Sequence, residues 1–246
     1  MVFSDSSRYR RLERANCQSA PRYMDRRLAA HRKSSATANR HHAMGSSHAS
    51  FSSPKLTLLR SDDFDSEILG PQWQWNYQPR KDFFSLTERP GWMRLKAFRP
   101  IESNQLLKAG NTLTQRTFRK QDNEVIVKMD ISQMADGQRN GICHFSSHHS
   151  ALGVVKEGTQ YFIEYRNNGH ILKGNEISTS FVWFKTCWGM DGKSQYYYSL
   201  DGDNFIQFGE PYQMVWGNYR GDRIGIYCFN DKSESGYVDI DYLHYR

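Results

Sequence analysis

The sequence predicts an all-β fold, a two-sheet antiparallel sandwich over residues 56–246, and three observations carry that prediction. From Leu56 onward, short runs of Val, Ile, Phe, Tyr and Trp are broken by Gly, Asn, Asp or Pro at intervals of about 8–12 residues, as strands and turns are in a sandwich. Several of those runs alternate between apolar and polar residues. No amphipathic stretch is long enough for a stable helix.

Taken in order, the run QWQWNYQP alternates Trp73, Trp75 and Tyr77 with Gln72, Gln74 and Asn76, the period of a strand with two unlike faces. In EVIVKMDI, Val125, Val127, Met129 and Ile131 share one face, and Glu124, Lys128 and Asp130 share the other with Ile126. QYYYSL sets Tyr196, Tyr198 and Leu200 opposite Gln195, Tyr197 and Ser199. The SLDGDNF segment that follows puts Asp-Gly between two strand-like runs, a strong hairpin signal. Its Asp201, Asp203 and Asn204 also resemble the opening of a calcium loop, but the remaining ligands of that pattern are out of place, so a turn is expected.

The formal charge of +7 would suggest a nucleic acid or an anionic membrane as partner if it lay on the fold. It does not. Residues 1–50 hold ten Lys and Arg against Asp5, Glu13 and Asp25; taking these from the 33 basic and 26 acidic residues leaves 23 of each in the remainder. Neither a nucleic acid nor a membrane is therefore expected as partner. Residues 1–55 have almost no apolar periodicity and are expected to be a disordered basic tail, left from cloning or a misplaced start, with an organellar transit peptide as the alternative. No run approaches the roughly 20 apolar residues of a membrane span, and no secretory signal is legible; the compartment stays open.

Of four cysteines, Cys17 lies in the tail, and Cys143, Cys187 and Cys228 lie in strand-like runs without zinc-like spacing, so these three are expected to pack as small apolar side chains, with one bridge among them as the alternative. The sequence has no GxSxG, HExxH, P-loop or GxGxxG motif. Ser146 and Ser147 beside His148 and His149 imitate part of a nucleophile and base, but no orienting acid is legible and a loop-filling role is expected. The adjacent His41 and His42 are not expected to form a metal site.

Several segments together resemble one family: RSDDFDSEILGPQWQWNYQP, FSLTERPGWMRLKA, NTLTQRTF, GVVKEGTQYFIEY, YYYSLDGDNF and the ending GYVDIDYLHYR. In this order they are similar to the concanavalin A-like, jelly-roll sandwich that follows the catalytic propeller in family 43 glycoside hydrolases, the β-xylosidases and α-arabinofuranosidases. The resemblance spans about residues 57–246. It implies an accessory domain, because the family's catalytic carboxylates lie in the propeller and none can be carried onto this chain. It also implies that HFSSHHSALGVVKEG approaches the rim of the propeller's site, although Ser150, Ala151 and Leu152 stand where family members tend to carry an aromatic.

Two sites are expected. Sugar recognition needs flat rings and planar polar groups, which makes Trp75, Asn76, Tyr77 and Arg116 the candidates for a carbohydrate site on a concave face; Trp188 and Trp216 are weaker ones, and core packing is the alternative for each Trp. The resemblance further implies one structural calcium ion, held by Asp63 of SDDF and Asp241 of VDIDY. Expected partners are xylan or arabinoxylan and a catalytic propeller domain. A free-standing hydrolase and a purely structural sandwich are the alternatives.

Overall fold

The structure, a computed structural model, describes residues 60–215, 217 and 221–246. The expected tail, with Cys17, His41 and His42, and also Trp216 lie outside the described residues. Among the described residues fifteen strands follow one another: β1 Gln74–Trp75, β2 Phe84–Ser85, β3 Met93–Lys96, β4 Thr112–Arg116, β5 Asn123–Asp130, β6 Gln138–Phe145, β7 His149–Glu157, β8 Gln160–Asn167, β9 His170–Ile177, β10 Phe181–Trp188, β11 Lys193–Ser199, β12 Ile206–Gln207, β13 Tyr212–Gln213, β14 Arg223–Asn230 and β15 Tyr237–Tyr245. They form two antiparallel sheets: β1-β4-β14-β6-β7-β8-β9, and β12-β11-β10-β5-β15-β3-β2 with β13 also on β11. The only helical elements described are two short 3-10 turns, Lys81–Phe83 and Leu106–Lys108.

The alternation read from the sequence is the packing. Val125, Val127, Met129 and Ile131 are fully buried between the sheets, against Ile142, Leu152 and Ile163 from the facing sheet. Tyr196 and Tyr198 are buried with them, but Leu200 is exposed: β11 ends at Ser199, and the polypeptide turns before Leu200 can share that face. Ser199 Oγ accepts from the backbone N–H groups of Asp201 and Gly202, and Asp201 accepts from Asp203, Asn204 and the Asn204 amide, a turn that needs no cation. Gly202 takes φ 86°, a conformation that favours glycine, and β12 pairs back onto β11 as the hairpin signal predicts. Cys143 and Cys228 are free and buried.

One polar network crosses this apolar interior. His144 Nε2 meets Thr186 Oγ1 at 3.0 Å, and the Tyr196 hydroxyl accepts the His144 N–H at 3.0 Å while donating to the Ser150 carbonyl at 2.9 Å. The imidazole is enclosed by the rings of Trp188, Tyr196 and Tyr212. Burial pushes its pKa from 6.5 down to about 3. Because the folded value is depressed, the stabilisation is fully present above the unfolded pKa and is lost as pH falls through 6.5 toward 3. Urea unfolding is expected to show a loss of about 2 to 3 kcal/mol between pH 7 and 4.5 from this residue, and His144→Asn is expected to flatten that slope while lowering stability at pH 7.

A polar cleft beside a covered sheet

On the outer side of the seven-stranded sheet, alternation puts Thr112, Thr114 and Arg116 of β4 beside Arg223, Gly225, Tyr227 and Phe229 of β14. Their neighbours Leu113, Ile224, Ile226 and Cys228 face the core. This outer surface is largely covered. Leu106 and Ala109, with the half-buried Leu107, pack on Cys143, Phe145, Ala151, Tyr227 and Phe229 to make a second apolar cluster. Gly153 of β7 makes room for it, since a Cβ there would lie 2.5 Å from the Tyr227 hydroxyl.

Charge fastens the covering segment. Asn104, at φ 60°, accepts from Arg166 through its backbone carbonyl at 3.1 Å and its side-chain oxygen at 2.6 Å, and its N–H donates to Asp231 at 2.7 Å. Arg166 also donates to Glu164 at 2.6 Å, and Arg139 bridges Glu164 and Asp231 at 3.2 and 2.8 Å. Glu164 and Arg166 are each only 3% exposed.

These contacts decide where the expected sugar residues stand. Asn76 is buried, and its amide donates to the carbonyls of Leu107 and Ala109, so it anchors the cover. Trp75 turns into the core beside Phe84, ring centroids 4.8 Å apart. Tyr77 is 39% exposed. Arg116 lies apart from these three, in a cleft of about 390 Å³ with Gln72, Trp73, Gln74, Phe118 and Arg223. Gln115 also lines the cleft, its amide donating to the Arg60 carbonyl at 2.9 Å. Trp73 is fixed by an indole hydrogen bond of 2.7 Å to Asp62, which Gln72 shares at 3.1 Å. Sequence reasoning missed Phe118 and Arg223 as partners of Arg116, because only strand pairing brings residue 223 beside residue 116.

The comparisons with known proteins agree with this architecture. A family described as the β-xylosidase C-terminal concanavalin A-like domain matches residues 61–246. The chain belongs to that family, the C-terminal concanavalin A-like domains of family 43 glycoside hydrolases. It is 33% identical over 212 residues to a β-xylosidase of Formosa agariphila, covering 78% of this chain and 36% of that protein. It is 32% identical to a putative β-xylosidase of Xylanibacter ruminicola, covering 66% and 30%. Among solved structures, a bifunctional GH43-CE protein of Bacteroides eggerthii superposes with a TM-score of 0.70 at 29% identity, over 76% of this chain and 25% of that one. The chain thus spans about a third of the length of these curated relatives.

The remaining expectations can be located on this xylosidase-type sandwich. HFSSHHSALGVVKEG is the hairpin of β6 and β7; Ser150, Ala151 and Leu152 lie buried within β7, and only Ser147 and His148 are exposed at its tip. Ser146 Oγ donates toward the Val215 and Gly217 carbonyls and His149 is buried. Trp188 is core, its indole donating to the Phe118 carbonyl at 2.8 Å. For calcium, Asp241 receives Lys128 Nζ at 2.9 Å and the exposed Asp63 meets His244 Nε2 at 2.6 Å. Calcium takes six to eight oxygens; two carboxylates that each face a basic side chain do not fit it as arranged, and no group of three or more His, Cys, Asp or Glu among the described residues could hold a metal.

Removing Arg166 tests the fastening of the cover. Arg166→Ala strips Glu164 of its buried partner and frees Asn104, which should lower stability by about 3 kcal/mol. It should also let a thiol reagent reach Cys143, which is fully buried beneath Leu106 in the native chain. Unchanged labelling would mean that the segment holds without the network.

Proposed function

We propose that this chain is a non-catalytic accessory domain of a xylan- or arabinan-degrading glycoside hydrolase, working beside a catalytic propeller and holding polysaccharide in the cleft at Arg116. The cleft carries the reading: an indole edge, a second aromatic ring, glutamine amides and a guanidinium converge in a space of about 390 Å³, the mixture that sugar hydroxyls and apolar ring faces require. The naming of the two curated relatives as β-xylosidases supports xylan-type chains as ligand.

Two carboxylates at the eight-stranded sheet that bind cations are not tuned to act as a general acid. Inverting hydrolysis needs an acid carboxyl kept protonated by its surroundings. Asp130 goes the other way: burial raises its pKa, but hydrogen bonds from Arg89 and Ser132 outweigh that and hold it below the usual range. Glu88 is likewise lowered, chiefly by Lys96.

A second reading, a sandwich that serves the catalytic domain by packing alone, is favoured by the outer face of the eight-stranded sheet. There Trp92, Phe181 and Trp183 surround Lys128 at 5.4 to 5.6 Å, and Tyr197 and Phe205 flank Lys185 at 4.8 and 4.3 Å. These half-buried rings make a broad apolar platform.

Affinity electrophoresis in gels with xylan or arabinoxylan should retard the chain, Gln74→Ala should weaken that retardation, and nitrophenyl β-xyloside and α-arabinofuranoside should show no turnover above a buffer blank. Mobility unchanged by any of these glycans would select the packing reading. Turnover abolished by changing one of the chain's own carboxylates would overturn both.

A further inference from the structure

We infer that the open edge of β9 is an interaction surface for a second copy of this chain, the two β9 strands pairing antiparallel across a two-fold axis and joining their seven-stranded sheets. Proteins keep sheet edges short, and of the four strands that end the two sheets β1, β2 and β12 are only two residues long. β9 is the exception. It ends the seven-stranded sheet with eight residues, and apart from its ladder with β8 its backbone has no hydrogen-bond partner among the described residues. Its exposed residues include Ile171 and Leu172, at 38% and 41%.

Self-complementarity fixes the occupant. Lys173 stands opposite Glu164 on β8 and Glu176 opposite Phe162, while Leu172 stands opposite Tyr165 and Ile177 opposite Tyr161. Lys173 and Glu176 therefore share the outer face, and Leu172 and Ile177 the core face, although the members of each pair are an odd number of residues apart. The register shift between Phe162 and Glu164, which gives β9 an extra residue, is what brings them to one side. A second β9 aligned with its Glu176 opposite Lys173 then meets like face with like face. The two-fold axis makes that ion pair twice and sets each Leu172 beside Ile177 of the other copy. Every other register loses both ion pairs.

The side chains already present suit such a contact. Ile177 is buried at the margin of the core cluster, so Leu172 of a second copy extends that cluster where it now meets water. Lys173 lies 3.6 Å from the centre of the Phe162 ring and reaches Glu157 at 2.6 Å, a largely exposed pair, and an ammonium with three donors can take a second carboxylate. Opposite charges facing each other across a strand pair favour it and like charges disfavour it; charge sets the register, while ladder hydrogen bonds and Leu172 supply the attraction. Lysines and bulges also guard edges against pairing. On β9 the bulge instead aligns the lysine with a carboxylate of a second copy. One pair of strand edges is smaller than a standard interface, so self-association is expected on the order of 10–100 µM.

Sedimentation velocity of the full chain on either side of that range tests the inference. The native chain should pass from monomer to dimer as its concentration rises. Lys173→Glu and Glu176→Lys each set like charges opposite one another at both positions, and each alone should weaken association about tenfold without moving the melting curve. Mixed in equal amounts, the two variants should associate as the native chain does, because each supplies the charge the other has lost. Residues 1–50 are the same in every sample, so attraction through that basic segment would not follow this pattern. A chain that stays monomeric throughout would overturn the inference, as would association that a single reversal leaves unchanged or a mixture that remains dissociated.

Discussion

The position of the cleft depends on the segment that lies over the seven-stranded sheet. Arg166, buried with Glu164, holds Asn104; Asp231 holds it from the other side; and Asn76 ties the far end of the segment to β1. A guanidinium this deeply buried is tolerated only when its hydrogen bonds are satisfied, and here Glu164 and Asn104 satisfy three of them. The network therefore makes a specific lock rather than a large stabilising contribution. Its consequence is geometric: the middle of the sheet's outer face is filled by Leu106, Ala109 and the rings of Tyr227 and Phe229, so a ligand is confined to the side where β1, β4 and β14 run past the cover.

How much of this was legible in the sequence followed from the range of each interaction. The Val125 to Ile131 row and the Asp-Gly hairpin were readable because period and turn chemistry are local, and the structure has both. Leu200 was misplaced because the Ser199 hydroxyl turns the backbone one residue before the apolar period would end. The tryptophan row kept its shared face, with Trp73 and Trp75 both packed against the core, but periodicity could not show that Trp73, held by Asp62, would also line the cleft. Asn76 carried no signal for its anchoring role, since its partners are backbone carbonyls more than thirty residues away. Arg223 was invisible for the same reason; its meaning comes from Arg116 across the ladder.

The two outer faces also differ in how they treat charge. On the eight-stranded sheet the carboxylates are matched: Asp239 receives Arg94 through two hydrogen bonds and Arg89 through a third, Asp130 shares Arg89, and Asp241 receives Lys128. Lysines there lie against rings, where the attraction of a cation for a π face replaces part of the lost hydration. Lys185 illustrates the limit of that replacement, since burial lowers its pKa even though Glu124 opposes the shift. Such a surface has its electrostatics satisfied internally and offers a partner mainly apolar area, as a packing interface requires.

The Arg116 side is built differently. β1 is a two-residue edge strand, and short edges resist unwanted strand pairing, but the same brevity leaves β4 without a long neighbour and lets Gln72, Trp73 and Gln74 stand along its margin. A cleft on a sheet margin is open along its length, so a polymer can cross it without threading an end. Arg116 and Arg223 stand opposite each other at this margin, as register partners on β4 and β14. Arg116, exposed and without an ion pair to any described residue, sets this cleft apart from the matched carboxylates of the eight-stranded sheet.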